Sequence, residues 1–236
     1  MKLSKKKQFG IVLAAFLILG IPFKVMILVE GFTEVRPVNA IPPLAGLICG
    51  PLGALACGIG NFISDFFGTL NSASGIGLIS NMLGAYLPYR LWHIYSHEAP
   101  NVHSIQNILK YIGICYTVAL VVAWSLGFGM YYCLGQWMEE MYTYVFFNNF
   151  GFSIVLGLPL LILLTSQDVQ IECAKAPSET MFLKNAKFRQ IFFIFYTILM
   201  SVFLILVVFY QMSPVGQPLF MILSLGGLLG LFFAFC

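Results

Sequence analysis

Apolar stretches close to bilayer length recur along the whole chain, and they leave few folds open to it. A helix needs roughly 20 apolar residues to cross the hydrocarbon layer, and such runs lie at about 8–30, 75–93, 109–134, 145–166, 190–211 and 218–236. Only 9% of residues are charged against 60% hydrophobic, with 23 Phe, where a soluble domain is about one-quarter charged. In lipid, every backbone N–H and C=O must be satisfied within the protein, which leaves helices and closed barrels. The runs lack the strict alternation of barrel strands. An all-α integral membrane protein is expected, with no soluble domain large enough to carry chemistry alone.

Residues 38–68 are apolar throughout but are interrupted by Gly50-Pro51-Leu52-Gly53, a breaker cluster unsuited to the middle of a straight helix. They form either one broken span or two short ones. Short loops retain Lys and Arg on the cytoplasmic side, and two passes give the more one-sided split. Lys2, Lys5, Lys6, Lys7, Arg90, Lys110, Lys175, Lys184, Lys187 and Arg189 then fall inside, leaving Lys24 and Arg36 outside. The charge pattern therefore predicts eight segments with both termini cytoplasmic and the Gly50–Gly53 turn on the inner side. The first run continues past Lys24 to Val29 without a small-x-small cleavage site, so it is expected to be an uncleaved helix rather than a secretory signal. The net charge of +3 reflects these cytoplasmic residues and predicts no nucleic-acid partner.

Local motifs for catalysis are missing. The six cysteines, Cys49, Cys57, Cys115, Cys133, Cys173 and Cys236, form no C-x-x-C pair and have no His at ligand spacing, so they read as packing residues rather than metal ligands. His93, His97 and His103 fall in the cytoplasmic connection after the fourth span and are expected to be solvated. There is no Walker lysine motif, G-x-S-x-G elbow or H-E-x-x-H helix. The expectation is a protein that is no enzyme and uses no cofactor or metal.

Polar and turn-forming residues at membrane depth concentrate between Gly31 and Trp92. Glu30, Glu34, Arg36, Pro37 and Asn39 bring both signs of charge to the outer face, as a lid over a solute or as a surface loop with its own ion pair. Asn61 and Asp65, four residues apart, share one face of the third span. Ionisable groups within a span are costly and mark sites by default, whereas an Asp65 near the outer headgroups costs little. Asn81, two turns into the next span, faces the same cavity or makes an interhelical hydrogen bond. The candidate substrate-binding residues are accordingly Glu34, Arg36, Asn39, Asn61, Asp65 and Asn81. The many glycines of this segment suit close helix packing, and Gly10 and Ala14, with Ala15 beside them, form a small-xxx-small pair in the first helix.

The run Glu34-Val-Arg-Pro-Val-Asn-Ala-Ile-Pro-Pro, then Gly46-Leu-Ile-Cys-Gly-Pro-Leu-Gly, then Gly60-Asn-Phe-Ile-Ser-Asp, resembles the substrate-binding S components of energy-coupling factor (ECF) transporters. The likeness covers residues 1–166. It implies a six-helix substrate-binding domain that takes a vitamin or similar micronutrient from outside a prokaryotic cell membrane. Delivery would pass through a separate transmembrane coupling subunit and two ATPase subunits. It also implies that Gly10, Ala14 and Ala15 lie where the family presents small residues to its coupling partner; packing inside the chain's own bundle is the alternative. A cytoplasmic linker, 167–189, and a C-terminal transmembrane hairpin, 190–236, go beyond the family's six helices.

Two other classes compete. A membrane sensory or scaffold module would share the packed Pro-Pro and Gly-Pro elements, but with no output domain before Cys236 it would need a separately encoded partner. A self-sufficient secondary transporter is expected to show an internal repeat with paired broken helices, and only residues 38–68 offer one.

Overall fold

The computed structural model describes residues 3–30, 33–96, 98–177, 186–214 and 217–235. Lys2, Gly31, His97, Lys184 and Cys236, which entered the sequence reading, lie outside the described residues. Among those described, the architecture is helical apart from one two-stranded ribbon. By length and composition, the helical stretches Lys5–Val25, Ile105–Leu134, Glu139–Thr165 and Lys187–Tyr210 are each sufficient to cross a membrane, and Pro37–Cys49 and Pro218–Leu231 are shorter apolar helices.

Helix α1 covers Lys5–Gly20, and the Ser4 hydroxyl caps it by accepting from the Lys7 N–H. The expected helix over 8–30 is corrected in its last third. Pro22 fixes its own φ and lacks an N–H, and the chain tightens into a 3₁₀ turn, Pro22–Val25. Strand β1, Ile27–Val29, then pairs antiparallel with β2, Thr33–Glu34. A second 3₁₀ turn, Pro37–Ala40, leads into α2, Ile41–Cys49.

At Gly50 the backbone takes φ +60°, a left-handed conformation that suits glycine. Pro51 opens α3, Pro51–Asp65, which folds back on α2. The reversal is tight: a Cβ on Gly53 would lie 2.2 Å from the Ala45 carbonyl oxygen. Both legs pack on α4, Ser74–Tyr95. Helix α5, Ile105–Leu134, is the buried centre of the main core, with Tyr111, Leu120 and Trp124 enclosed.

Helix α6, Glu139–Phe152, passes through a π turn at Ser153–Gly157 into α7, Leu158–Thr165. That turn has local uses, since the Ser153 carbonyl accepts from Tyr111 Oη at 3.0 Å and its hydroxyl donates to the Asn39 carbonyl at 3.3 Å. Helices α8, Ala186–Tyr210, and α9, Pro218–Phe235, form the C-terminal hairpin. It is not a separate unit. α8 packs on α4, α5 and α6, and hydroxyl pairs Tyr116–Ser201 and Thr117–Thr197, each at 2.9 Å, bind it to α5.

Two expectations about the connections change. His93 is not a solvated loop residue, because α4 continues through it to Tyr95 and half-buries its ring edge-on to Tyr89. In the linker, 167–189, the Ala174 N–H donates to the Leu47 carbonyl at 3.1 Å. The linker's last residues, from Ala186, already belong to α8.

Close backbone approach between α2 and α4 depends on Gly46, where an added Cβ would stand 1.8 Å from the Ala85 carbonyl oxygen. Gly46→Ala is expected to cost at least about 1–3 kcal/mol of stability. Gly10→Ala, whose Cβ would meet nothing within 4 Å, should be neutral or gain up to about 1 kcal/mol from helix propensity. Unfolding of the two variants in detergent, followed by circular dichroism, checks the contrast.

Candidate functional site

The C-terminal end of α3 carries the groups around which the rest of the site assembles. Asn61 and Asp65 sit on consecutive turns facing α4, both buried, and the Asn61 amide donates to Asp65 Oδ2 at 3.4 Å. Gly77 of α4 makes room for this pair, since a Cβ there would lie 2.9 Å from Asn61 Nδ2. One turn past Asp65, the Thr69 hydroxyl donates to Asp65 Oδ1 at 3.0 Å.

The turn after α1 brings Lys24 onto this carboxylate. Its Nζ lies 2.8 Å from Asp65 Oδ1 and 3.0 Å from Glu34 Oε1, and it donates to Thr69. The side chains of Lys24, Glu34 and Asp65 are only 4%, 3% and 8% exposed. Burial on this scale is tolerated only when each charge finds a partner. Arg36 closes the circuit: its Nε lies 3.6 Å from Glu34 Oε1, and its guanidinium donates to Asn61 Oδ1. The linked side chains run Asp65, Lys24, Glu34, Arg36, Asn61 and back to Asp65.

Asn148 of α6 holds the ribbon in register with this circuit. Its amide donates to the Glu34 carbonyl at 3.0 Å and accepts from the Arg36 N–H at 3.2 Å, as a neighbouring strand would. Glu34 and Arg36, which flank Val35, are thereby held beside each other.

Beneath the circuit lies a cavity of about 50 Å³, walled by Arg36, Asn39, Asn61, Asp65, Asn81 and Asn148, among others. Its volume suits a few waters and is well short of a drug-sized pocket of about 300 Å³ or more. Carboxamides dominate the polar wall, and each offers both donors and an acceptor. Among the described residues no group of three or more His, Cys, Asp or Glu gathers to hold a metal.

The structure thus brings Glu34, Arg36, Asn61 and Asp65 into one circuit, with Asn39 and Asn81 on the cavity wall. Glu34 stands behind the wall rather than on it, held by Lys24. Asn81 also donates to the Gly77 carbonyl at 2.9 Å, within its own helix. Sequence reasoning missed Lys24, Thr69 and Asn148. Lys24 is an isolated cation in an apolar run directly after a proline, and Asn148-Asn149 interrupts a run of Phe; both were legible signals. On α1, Gly10 and Ala14 lie on the exposed face, while Ala15 packs beside the smaller core of Val12 and Phe16.

No family model, curated protein or solved structure matches this chain.

Removing Lys24 strands two buried carboxylates. Lys24→Met is expected to destabilise the protein by about 3–5 kcal/mol, the cost of breaking a buried ion pair on one side. Adding Glu34→Gln and Asp65→Asn to that variant should recover most of the loss. Thermal unfolding of single and triple variants in one detergent measures it, and equal melting of the two would show that Lys24 carries no such role.

Proposed function

We propose that this chain is the membrane-embedded substrate-capture subunit of an ECF-type importer. It takes a vitamin or similar micronutrient from outside and passes it on through a separate transmembrane coupling subunit and two ATPases. It acts by binding, and the coupled module supplies the energy. The observation that carries this reading is the polar cavity. α3, α4, α6 and the ribbon-to-α2 connection each aim side chains into one space at one end of the bundle. Polar groups are expensive at membrane depth and are retained where they serve a site.

The wall also describes the solute. Lys24 is consumed by two carboxylates, so Arg36 is the cation that meets a ligand. A group accepting from the Arg36 guanidinium would replace its bond to Asn61, and amide-like edges on the solute would pair with the asparagines. Because the cavity is small, binding requires the ribbon and the 66–73 connection to part from the helix ends. Handover is then expected on the exposed small face of α1, at Gly10 and Ala14, where helices in lipid can close without large side chains intervening.

Mass spectrometry of small molecules retained by the purified protein tests the capture step directly. Asn61→Ala and Asn81→Ala should each weaken retention by about 1–3 kcal/mol, the cost of a lost buried hydrogen-bond partner. Gly10→Leu with Ala14→Leu should leave retention intact while abolishing copurification of ATPases. Retention unchanged in folded Asn61→Ala and Asn81→Ala proteins would place the site elsewhere.

A further inference from the structure

A second recess lies at the opposite end of the bundle, on the side that carries the amino-terminal end of α1. It is a groove of about 330 Å³ between α4, α5 and α8, open along the helix flanks. Its walls are apolar over most of their length, including Leu91, Ile114, Phe193 and Ile198. Gly113 leaves the gap unfilled, since a Cβ there would meet nothing within 4 Å. The Thr117–Thr197 hydroxyl pair marks its deep end.

The mouth differs from the walls. Lys110 lines it, with its ammonium 4.8 Å from the centre of the Trp92 ring and donating to Asn107 at 3.0 Å. Those contacts leave donors of the ammonium free. Arg189 stands one turn before Phe193 on the same stripe of α8, and its Nε is buried without a hydrogen-bond partner. Among the described residues no carboxylate lies within ion-pair distance of either cation. From Lys110 to Thr117 along α5, and from Phe193 to Ile198 along α8, the groove therefore runs from positive charge without an ion-pair partner, with Arg189 one turn beyond the lining, to apolar surface at depth.

We infer that an anionic phospholipid of the adjoining leaflet occupies this groove, with its phosphate against Lys110 and Arg189 and one acyl chain over Gly113 between α5 and α8. Charge complementarity and direction select this occupant. Basic recesses between transmembrane helices suit anionic headgroups, and the long Lys and Arg stems reach headgroup level from within a span. A peptide helix would need no unpaired cations at one end, and a free phosphate would leave the apolar length empty. The inference also gives the C-terminal hairpin a role, because α8 supplies one wall.

The full chain, reconstituted in phosphatidylcholine nanodiscs containing a minor share of phosphatidylglycerol and released for native mass spectrometry, provides the test. Wild type should retain phosphatidylglycerol far above its bulk share. Lys110→Gln with Arg189→Gln should cut that preference on the order of 30-fold. Gly113→Leu, which fills the groove without touching either charge, should abolish it, and Ile194→Trp on the groove lip gives a second filling variant should the first not fold. Inorganic phosphate should not compete. Equal retention of both lipids by wild type would mean annular lipid only. A preference that survives the charge variants, or yields to inorganic phosphate, would equally overturn the assignment.

Discussion

The end of the bundle that carries the ribbon depends on one ammonium group. Lys24 lies beyond α1, in the 3₁₀ turn Pro22–Val25. The proline two residues earlier turns the chain, and the ammonium lands between Glu34 and Asp65 at 3.0 and 2.8 Å. Desolvating three ionisable groups together is unfavourable unless geometry is good and the remaining donors are used. Here the third contact, Thr69, and the flanking Arg36 supply that geometry. The position of the ribbon follows from it, since Glu34 can reach Lys24 only with its strand laid across the bundle end. Asn148 then pins that strand through two hydrogen bonds between its side-chain amide and the backbone of Glu34 and Arg36.

A polar circuit at a bundle end is stable only if the helices beneath it approach closely. Glycine provides the approach to α4. Gly46 lets α2 meet the Ala85 backbone, Gly58 lets α3 meet Met82, and Gly77 leaves space for Asn61 itself. In lipid such contacts are won by van der Waals packing rather than by water exclusion, so the same small residues that shape the helical scaffold also set the distance across which Asn61 and Asp65 act.

Much of this was legible before any coordinates, for physical reasons that differ from residue to residue. The apolar runs read as helices, because lipid leaves only helices and closed barrels and the runs lack the alternation of barrel strands, and Gly50-Pro51 read as a break, which the left-handed φ of Gly50 makes. Residues 21–29 were misread as helix because hydropathy measures burial and not conformation: Ile27–Val29 is as apolar in a strand as in a span. Asn61 and Asp65 stood out by their spacing on one helix. Lys24 and Asn148 stood out only as polar residues in apolar runs; that they meet Asp65 and the Glu34 carbonyl was not legible, because those partners lie 41 and 114 residues away.

The circuit is not equally strong around its length, and this bears on how a closed cavity admits a solute. Lys24 is nearly inaccessible and holds two carboxylates at contact distance, whereas Arg36 is 15% exposed and sits 3.6 Å from Glu34. Screening and solvent competition weaken an ion pair as exposure rises. The link from Arg36 to Asn61 is also the one that faces the cavity. On the proposed reading, an arriving acceptor group exchanges with Asn61 for the guanidinium, which frees that carboxamide for the solute and leaves the Lys24 pairs intact. Lys24 then serves as the fixed anchor of this end of the bundle and Arg36 as its movable half, so that the site opens without exposing the two buried carboxylates.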